Sequence, residues 1–185
     1  MKRMIIFITF VLAVLNVQAI TAEESFTWHL ALVRNEEGLP IDSTIPMNND
    51  DTFSIEIYTE KDCYMYLVVE MSSGSISPYH RQIKAKVPEK IVQGTIRPPK
   101  GQEKFYVGAS LNEQKTLQNA IENYNKEKTP NNALVVKTLL FEAGTSYNKS
   151  PGQPVDFAGT IRGESILGTE YSGASVYSKT ITISH

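Results

Sequence analysis

The sequence predicts a mainly β protein, an antiparallel β-sandwich of the immunoglobulin-like kind with one or two α-helices inserted late in the chain. Three observations carry this prediction. About seven or eight short segments show strand patterns and are separated by turn residues. The hydrophobic period changes from two to about 3.6 only after residue 112. Strands and helices do not alternate along the chain, which disfavours a parallel sheet.

The clearest strand patterns lie in the first two thirds of the sequence. Residues 25–33 alternate aromatic or aliphatic side chains with smaller or polar ones, and residues 52–58 repeat this period of two. Residues 63–71 are apolar at nearly every position, which indicates a more buried strand. Further strand-like segments are residues 91–96, 104–111, 154–161 and 174–184.

Two turns on either side of the buried strand predict an antiparallel meander. A Glu-Lys-Asp turn at 60–62 precedes the strand, and a tight Ser-Ser-Gly-Ser turn at 72–75 follows it. Residues 35–51 are predicted to be a linker. Its polar end, residues 48–51, is expected to be a plain turn, with a calcium site as the alternative because hard cations bind clustered oxygen ligands.

One apolar stripe predicts an α-helix over residues 113–126. Leu117, Ile121 and Tyr124 recur at the spacing of a single helix face on an otherwise polar segment. Asn112 is a suitable N-cap residue, because its side chain can accept a hydrogen bond from a backbone amide of the first turn.

A second helix is predicted over residues 131–142. The Thr-Pro step at 129–130 has the pattern of an N-cap followed by proline at the first helical position. Gly144 is expected to stop the helix. Two β-branched valines at 135–136 leave a strand as the alternative.

The first residues have the layout of a secretory signal peptide. Lys2 and Arg3 precede an apolar run over 4–15, and small or apolar residues follow at the positions that a signal peptidase reads. The run is shorter than the roughly 20 residues that span a bilayer. The signal peptide is expected to be residues 1–19, with an alternative end at residue 22. An uncleaved N-terminal anchor is the competing interpretation.

The remaining chain is expected to form a single β-sandwich domain over 23–185, with the helical insertion at about 113–143. Loss of Lys2 and Arg3 leaves 16 of the 18 basic side chains against 20 acidic ones, a net charge of −4. This sign argues against nucleic acid as a partner, because phosphate binding depends on clustered Lys and Arg. No later apolar stretch is long enough to span a membrane. The expected location is the periplasm or the extracellular medium.

No sequence pattern predicts catalytic, cofactor-binding or metal-binding residues. The histidines His29, His80 and His185 lack metal-ligand spacing, and a single cysteine cannot complete a zinc site. His29 is expected to be exposed or at a sheet edge. Residues 163–168 lack the Gly-x-Ser-x-Gly spacing of a nucleophile elbow. The chain is therefore predicted not to be an enzyme and to use no cofactor.

The only cysteine, Cys63, begins an apolar run. A secreted protein with one cysteine has no internal disulfide. The apolar surroundings predict a buried thiol of low reactivity, with a reactive or intermolecular thiol as the alternative.

One segment is a candidate for ligand binding. Tyr79, His80 and Arg81 combine an aromatic ring, a titratable imidazole and a bidentate donor in a predicted polar loop over 78–86. Aromatic and cationic groups in a loop can recognise anions or sugars. An ordinary solvated loop is the alternative.

Five segments follow one another in an order typical of a known family. They are T-F-S-I at 52–55, C-Y-M-Y-L-V at 63–68, S-G-S-I-S-P-Y at 73–79, I-R-P-P-K-G at 96–101 and K-F-Y-V-G-A-S at 104–110. This order resembles a bacterial extracytoplasmic domain of unknown function, the family numbered 4384, over about residues 50–145. The Tyr-Pro step usual in that family is reversed here, as Pro78-Tyr79. The resemblance implies a β-sandwich in an envelope or secreted protein, sometimes attached to other modules, and offers no catalytic residues.

Two function classes remain. The favoured one is an exported bacterial, non-enzymatic β-sandwich module that binds a protein or other ligand in the cell envelope. The alternative is a secreted hydrolase with a dispersed active site. A cleft with convergent side chains of shifted pKa would favour the enzyme, and an exposed apolar patch or an open sheet edge would favour the binding module.

Overall fold

The computed structural model describes residues 27–41, 43–147, 154–161, 164–171 and 176–185. The predicted signal peptide lies outside these residues. Within them the chain is mainly β, as predicted, with two sheets and two helices. The elements in chain order are β1 (Trp28–Arg34), β2 (Glu37–Leu39), β3 (Ile45–Pro46), β4 (Thr52–Thr59), β5 (Cys63–Glu70), β6 (Ile76–Ile83), β7 (Glu89–Thr95), β8 (Gln102–Ser110), α1 (Lys115–Lys126), α2 (Pro130–Tyr147), β9 (Pro154–Ile161), β10 (Glu164–Tyr171) and β11 (Val176–Ser184).

The strands pair almost entirely in antiparallel fashion. Sheet A has the order β7-β4-β1-β10-β9, and β2 forms a hairpin with β1. Sheet B has the order β3-β11-β8-β5-β6. Only the two-residue strand β3 lies parallel to its neighbour, β11. The predicted absence of a βαβ-type parallel sheet is confirmed for the described strands.

The two sheets pack face to face around one apolar core. Alternate residues of β1, β4, β5 and β8 point into it, because neighbouring side chains in a strand lie on opposite faces. Sheet A contributes Leu30 and Ile55, and sheet B contributes Met65 and Val107, all of which are buried. The Phe53 and Phe105 rings meet edge to face between the sheets, with centroids 5.7 Å apart. This arrangement is that of a β-sandwich.

The two helices cover the outer face of sheet B. The predicted stripe of α1 is confirmed, since Leu117, Ile121 and Tyr124 are buried against this face. The Tyr124 hydroxyl donates a 2.9 Å hydrogen bond to the carbonyl oxygen of Ile76 on β6. The predicted N-cap at Asn112 is wrong, because the helix begins later and no side chain caps it.

Residues 131–142 form a helix, so the strand alternative is wrong. The predicted cap is confirmed, because the Thr129 hydroxyl oxygen accepts a 3.2 Å hydrogen bond from the Asn132 amide. The helix runs through Gly144 to Tyr147, however, instead of stopping at the glycine. A glycine inside a helix costs only about 1 kcal/mol, and the burial of the α2 side chains Val136 and Leu140 outweighs such a cost.

The predicted meander is wrong at its first turn. The chain crosses at 60–62 from β4 in sheet A to β5 in sheet B, so these two strands do not pair. Both strands carry an inward apolar set, and packing them on opposite sides of one core buries both sets together. The second turn is confirmed, because β5 and β6 pair over their full length around residues 72–75.

Two further regions differ from the predictions. The predicted linker 35–51 contains β2 and β3. Its first turn has positive φ angles at Asn35 (48°) and Glu36 (73°), which is the backbone of a type I′ hairpin turn. Strand β10 was not predicted, because the glycines at its boundaries and interior suggested only turns.

Candidate functional site

The Tyr79-His80-Arg81 segment lies in strand β6 and not in a loop. Each of its residues pairs with a residue of β5, and directly paired side chains share a face of the sheet. Tyr79 and Arg81 lie opposite the core residues Leu67 and Met65, whereas His80 lies opposite Tyr66 on the helix side. The sequence predicts a loop here because the segment is rich in polar residues. The segment is instead a strand at the edge of sheet B, where polar side chains can occupy the exposed positions.

Arg81 joins the edges of the two sheets. Its Nη2 lies 2.7 Å from Oε2 of Glu89 on β7, and its guanidinium carbon lies 5.9 Å from the Tyr79 ring centroid. The ion pair therefore connects sheet B to sheet A along the side of the sandwich where β6 and β7 form the outer strands. Arg81 contributes a structural contact here, while Tyr79 remains 43% exposed beside it.

His80 and His29 both pack against aromatic rings. The His80 imidazole stacks on Tyr66, with ring centroids 6.1 Å apart. His29 lies on β1, in the middle of sheet A, and its ring meets Tyr58 edge to face at 5.5 Å. The prediction of an exposed or edge position for His29 is wrong, because β1 has neighbours on both sides. The three segment residues thus point to two faces, and no single surface presents all of them.

An open cleft of about 600 Å³ lies at one end of the sandwich. It lies between the β5–β6 turn and the connection from β7 to β8. We call it the end cleft. Its lining consists of Glu70, Met71, Ser72, Ser73, Gly74, Pro99, Lys100, Gly101, Gln102 and Lys104.

Backbone hydrogen bonds hold both walls of the end cleft. In the β5–β6 turn, Met71 donates to Ser75 at 2.9 Å and Gly74 donates to Met71 at 2.8 Å. Gly74 has a φ of 81°, a conformation in which glycine avoids the steric cost of a side chain. On the other wall, Gly101 and His185 exchange two backbone hydrogen bonds of 2.7 and 2.9 Å. The lining residues therefore have a fixed framework.

The two walls touch at Gly101. A Cβ atom placed on this glycine would lie 2.6 Å from Cβ of Ser72, which is closer than real side chains approach. The close approach of the walls therefore requires glycine at position 101. The reason is space and not backbone conformation, because the φ of Gly101 lies outside the left-handed region.

A carboxylate whose negative charge is balanced by a neighbouring lysine forms one side of the end cleft. Glu70 Oε1 accepts a 2.7 Å hydrogen bond from Lys137 Nζ of α2, and Oε2 accepts one of 2.7 Å from the Tyr106 hydroxyl. Burial disfavours the charged form of Glu70, but these two hydrogen bonds outweigh it and lower its pKa. Burial, together with the adjacent carboxylate, raises the pKa of Tyr106. Lys100 and Lys104 also line the cleft, and neither makes an ion pair with the described residues.

A smaller pocket of about 250 Å³ adjoins the end cleft through Ser72 and Pro99. We call it the His185 pocket. Ser72, Glu103 and His185 all line it, and these are the side-chain types of a hydrolytic triad. Within the described part of the chain, however, neither ring nitrogen of His185 has a hydrogen-bond partner. The nucleophile–base and base–acid hydrogen bonds of a triad are therefore not formed.

The polar turn at 48–51 is organised by its own side chains. Asp51 accepts hydrogen bonds from the Asn48 amide at 2.9 Å and from the Asn35 side chain at 2.8 Å, and these bonds lower its pKa. Asp50 pairs with Arg97. Across the described ranges no group of three His, Cys, Asp or Glu side chains has the arrangement of a metal site.

Cys63 is buried, with 1% of its surface exposed, and it forms no disulfide. The predicted placement is confirmed. Burial raises the pKa of the thiol to about 11.

Sequence reasoning missed the end cleft as a site. The sequence predicts the turn at 72–75, and residues 98–101 enter only through the segment that resembles the family numbered 4384. They meet because β5 and β8 are neighbours in sheet B. Pairing order is not readable from local patterns, so their proximity was not predicted.

Comparisons with known proteins return no match to a family model, to a curated protein or to a solved structure. The resemblance to the family numbered 4384 stays a hypothesis. In the part of the chain that the structure describes, no helix combines the length and the apolar character needed to cross a membrane.

Proposed function

We propose that this chain is an exported, non-enzymatic β-sandwich module of the bacterial envelope, and that it binds its ligand in the end cleft. Export is supported by the signal-peptide layout of residues 1–19, and a location in the periplasm or outside the cell follows from it. The immunoglobulin-like relationship of the sandwich belongs to the same proposal.

The observation that carries the binding function is the composition of the end cleft. Its volume of about 600 Å³ lies in the range of small-molecule sites, about 300–1,000 Å³. Polar groups from two turns converge on it, and Met71 and Pro99 add apolar surface. A ligand can gain hydrogen bonds, charge and apolar contact in one place.

The proposal can be tested on protein purified from the envelope fraction. Native mass spectrometry should detect a bound molecule, and the mass of the chain should correspond to a start at Ile20 or Glu23. Ser73→Trp places a bulky side chain in the end cleft and should remove the bound molecule. Glu122→Trp, on the exposed face of α1, is the matched control and should retain it. Retention of the ligand by Ser73→Trp, or of Met1 in the exported protein, would contradict the proposal.

A secreted hydrolase is the second candidate, and the His185 pocket is the observation that favours it. Ser72, Glu103 and His185 share this pocket, and catalytic hydrogen bonds are often long before substrate binds. We expect no turnover of ester, peptide or glycoside substrates by the pure protein. Turnover that His185→Ala or Ser72→Ala abolishes would establish the hydrolase instead.

A further inference from the structure

The described lining of the end cleft holds two lysines and one carboxylate, and that carboxylate already has a lysine of α2 as its ion-pair partner. Among the described residues of its lining Glu70 is the one acidic side chain, and its Oε1 lies 2.7 Å from Nζ of Lys137. Lys100 and Lys104 make no ion pair with any described residue. The Lys104 charge is close enough to Glu70 to help lower the pKa of that carboxyl group. The described lining residues therefore carry a formal charge of +1, from Lys100, Lys104 and Glu70, on a chain whose expected exported form carries −4.

We propose that the end cleft binds a small anionic ligand, one that carries a carboxylate or phosphate group on a hydroxyl-rich body. The anionic group would lie between Lys100 and Lys104, since ammonium groups form charge-assisted hydrogen bonds with such oxygens. The Ser72 and Ser73 hydroxyls and the Gln102 amide suit hydroxyl groups of the ligand. This inference rests on the proposed binding function and adds the ligand class to it.

The framework of the end cleft supports a binding role for these lysines. Lys100 precedes Gly101, which is fixed by the two backbone hydrogen bonds to His185 and by its contact with Ser72. Lys104 lies on β8, between its partners β5 and β11. A site whose backbone is already ordered loses less conformational entropy when a ligand binds.

The charge of the whole chain favours a small anion over a polymeric one. A long polyanion extends beyond the cleft and meets a surface of net negative charge, which repels it. A ligand that fits within about 600 Å³ interacts mainly with the two lysines. Local attraction and overall repulsion together select for size as well as for charge.

Isothermal titration of the purified protein with three probes tests the ligand class. Trigalacturonate carries carboxylates, glucose 6-phosphate carries a phosphate, and maltotriose is neutral. We expect binding of at least one anionic probe, weaker binding at higher salt concentration, and no binding of maltotriose. The anionic probe that binds identifies whether the site prefers carboxylate or phosphate.

Lysine variants test the location. Lys100→Met and Lys104→Met should each weaken binding of the anionic probe about tenfold or more, whereas Lys104→Arg keeps the charge and should bind nearly as the parent does. Lys115→Met and Lys126→Met remove the same charge from α1, outside the cleft, and should leave binding unchanged. The unfolding midpoint of each variant shows that it is folded.

Three outcomes would overturn the inference. They are failure of both anionic probes to bind, binding of maltotriose with the affinity of the anions, and equal effects of the cleft and α1 substitutions. None of these outcomes removes the proposed binding function, because the bound molecule seen by native mass spectrometry is tested separately through Ser73→Trp. If Ser73→Trp retained the bound molecule, both the proposed binding function and the proposed ligand class would be overturned.

Discussion

The Tyr66 hydroxyl oxygen accepts a 2.7 Å hydrogen bond from the backbone amide of Gln114, the residue at the N-cap of α1. No side chain within the helix start performs this role. Tyr66 belongs to β5, 48 positions earlier in the sequence. The sheet therefore satisfies an amide at the helix start that a local cap would normally satisfy.

Removing this hydroxyl group should destabilise the protein. Tyr66→Phe keeps the buried ring but leaves the amide of Gln114 without its acceptor, and we expect a loss of about 1 kcal/mol in the free energy of unfolding. Tyr64→Phe is the control, since the Tyr64 hydroxyl has no such hydrogen bond with the described residues. Urea denaturation of both variants measures the difference. Equal stabilities would show that the Tyr66 contact contributes nothing.

The amphipathic stripe of α1 leads to a second prediction. Ile121 is 1% exposed, and Asn119 lies on the exposed side of the same helix. Truncating a buried isoleucine to alanine typically costs about 2–5 kcal/mol, whereas a surface change stays within about 0.5 kcal/mol. Ile121→Ala should therefore lower the urea midpoint far more than Asn119→Ala. If the two variants unfold alike, α1 is not packed on sheet B as described.

Local periodicity was sufficient to predict most elements of this fold. The α1 stripe comes from burial of one helix face, and the alternation in β4 and β8 comes from the apolar residues that point into the core between the sheets. Both signals repeat within a few residues. The cap of α1 was missed because Tyr66 supplies it from a distant strand. A hydrogen bond between residues 48 positions apart leaves no local pattern.

Strand pairing was harder to predict than strand location. The turn at 60–62 is equally compatible with a hairpin and with a crossing between two sheets, because both need only a short polar connection. The choice between them depends on how β4 and β5 bury their apolar faces together. The end cleft was missed for the same reason, since its walls are brought together by the neighbouring positions of β5 and β8.

The contact between the end-cleft walls predicts a rescue. Gly101→Ala forces a methyl group to within 2.6 Å of Cβ of Ser72, and we expect a loss of about 1–3 kcal/mol in the free energy of unfolding. Replacing Ser72 by glycine removes the obstructing side chain. The double variant Gly101→Ala/Ser72→Gly should therefore recover stability relative to the sum of the two single changes, as measured by a double-mutant cycle. Simple additivity would mean that the walls do not touch.

The lowered pKa of Glu70 predicts how its contribution depends on pH. The folded state favours the charged form of Glu70. Its stabilising effect is therefore present above the unfolded-state pKa of 4.5 and is lost as the pH falls through the lower pKa of the folded state. Glu70→Gln should cost stability at pH 7, and its difference from the parent should shrink below about pH 4.5. Glu122→Gln, on the exposed face of α1, is the control. A Glu70→Gln difference that is constant from pH 3 to pH 7 would contradict this account.

The raised pKa of Cys63 predicts a thiol that reacts only after unfolding. The reactive species is the thiolate, and burial raises the pKa from 9.0 to about 11. At pH 8 the folded protein thus has roughly a hundredfold less thiolate than the unfolded chain, and the apolar core further excludes a reagent. We expect an aromatic disulfide reagent to modify native protein very slowly and urea-unfolded protein rapidly.

The same shift predicts an effect on stability at alkaline pH. Because the thiol ionises more readily in the unfolded chain, ionisation favours unfolding, and stability should fall as the pH rises above about 9. Cys63→Ala removes this dependence and serves as the control, although its overall stability is lower because it leaves a small cavity. The difference in unfolding free energy between the parent and Cys63→Ala should therefore shrink from pH 8 to pH 10.5. Equal labelling rates in native and unfolded protein would show that the thiol is not protected by burial. A difference in unfolding free energy between the parent and Cys63→Ala that does not change with pH would show that ionisation of Cys63 is not coupled to unfolding.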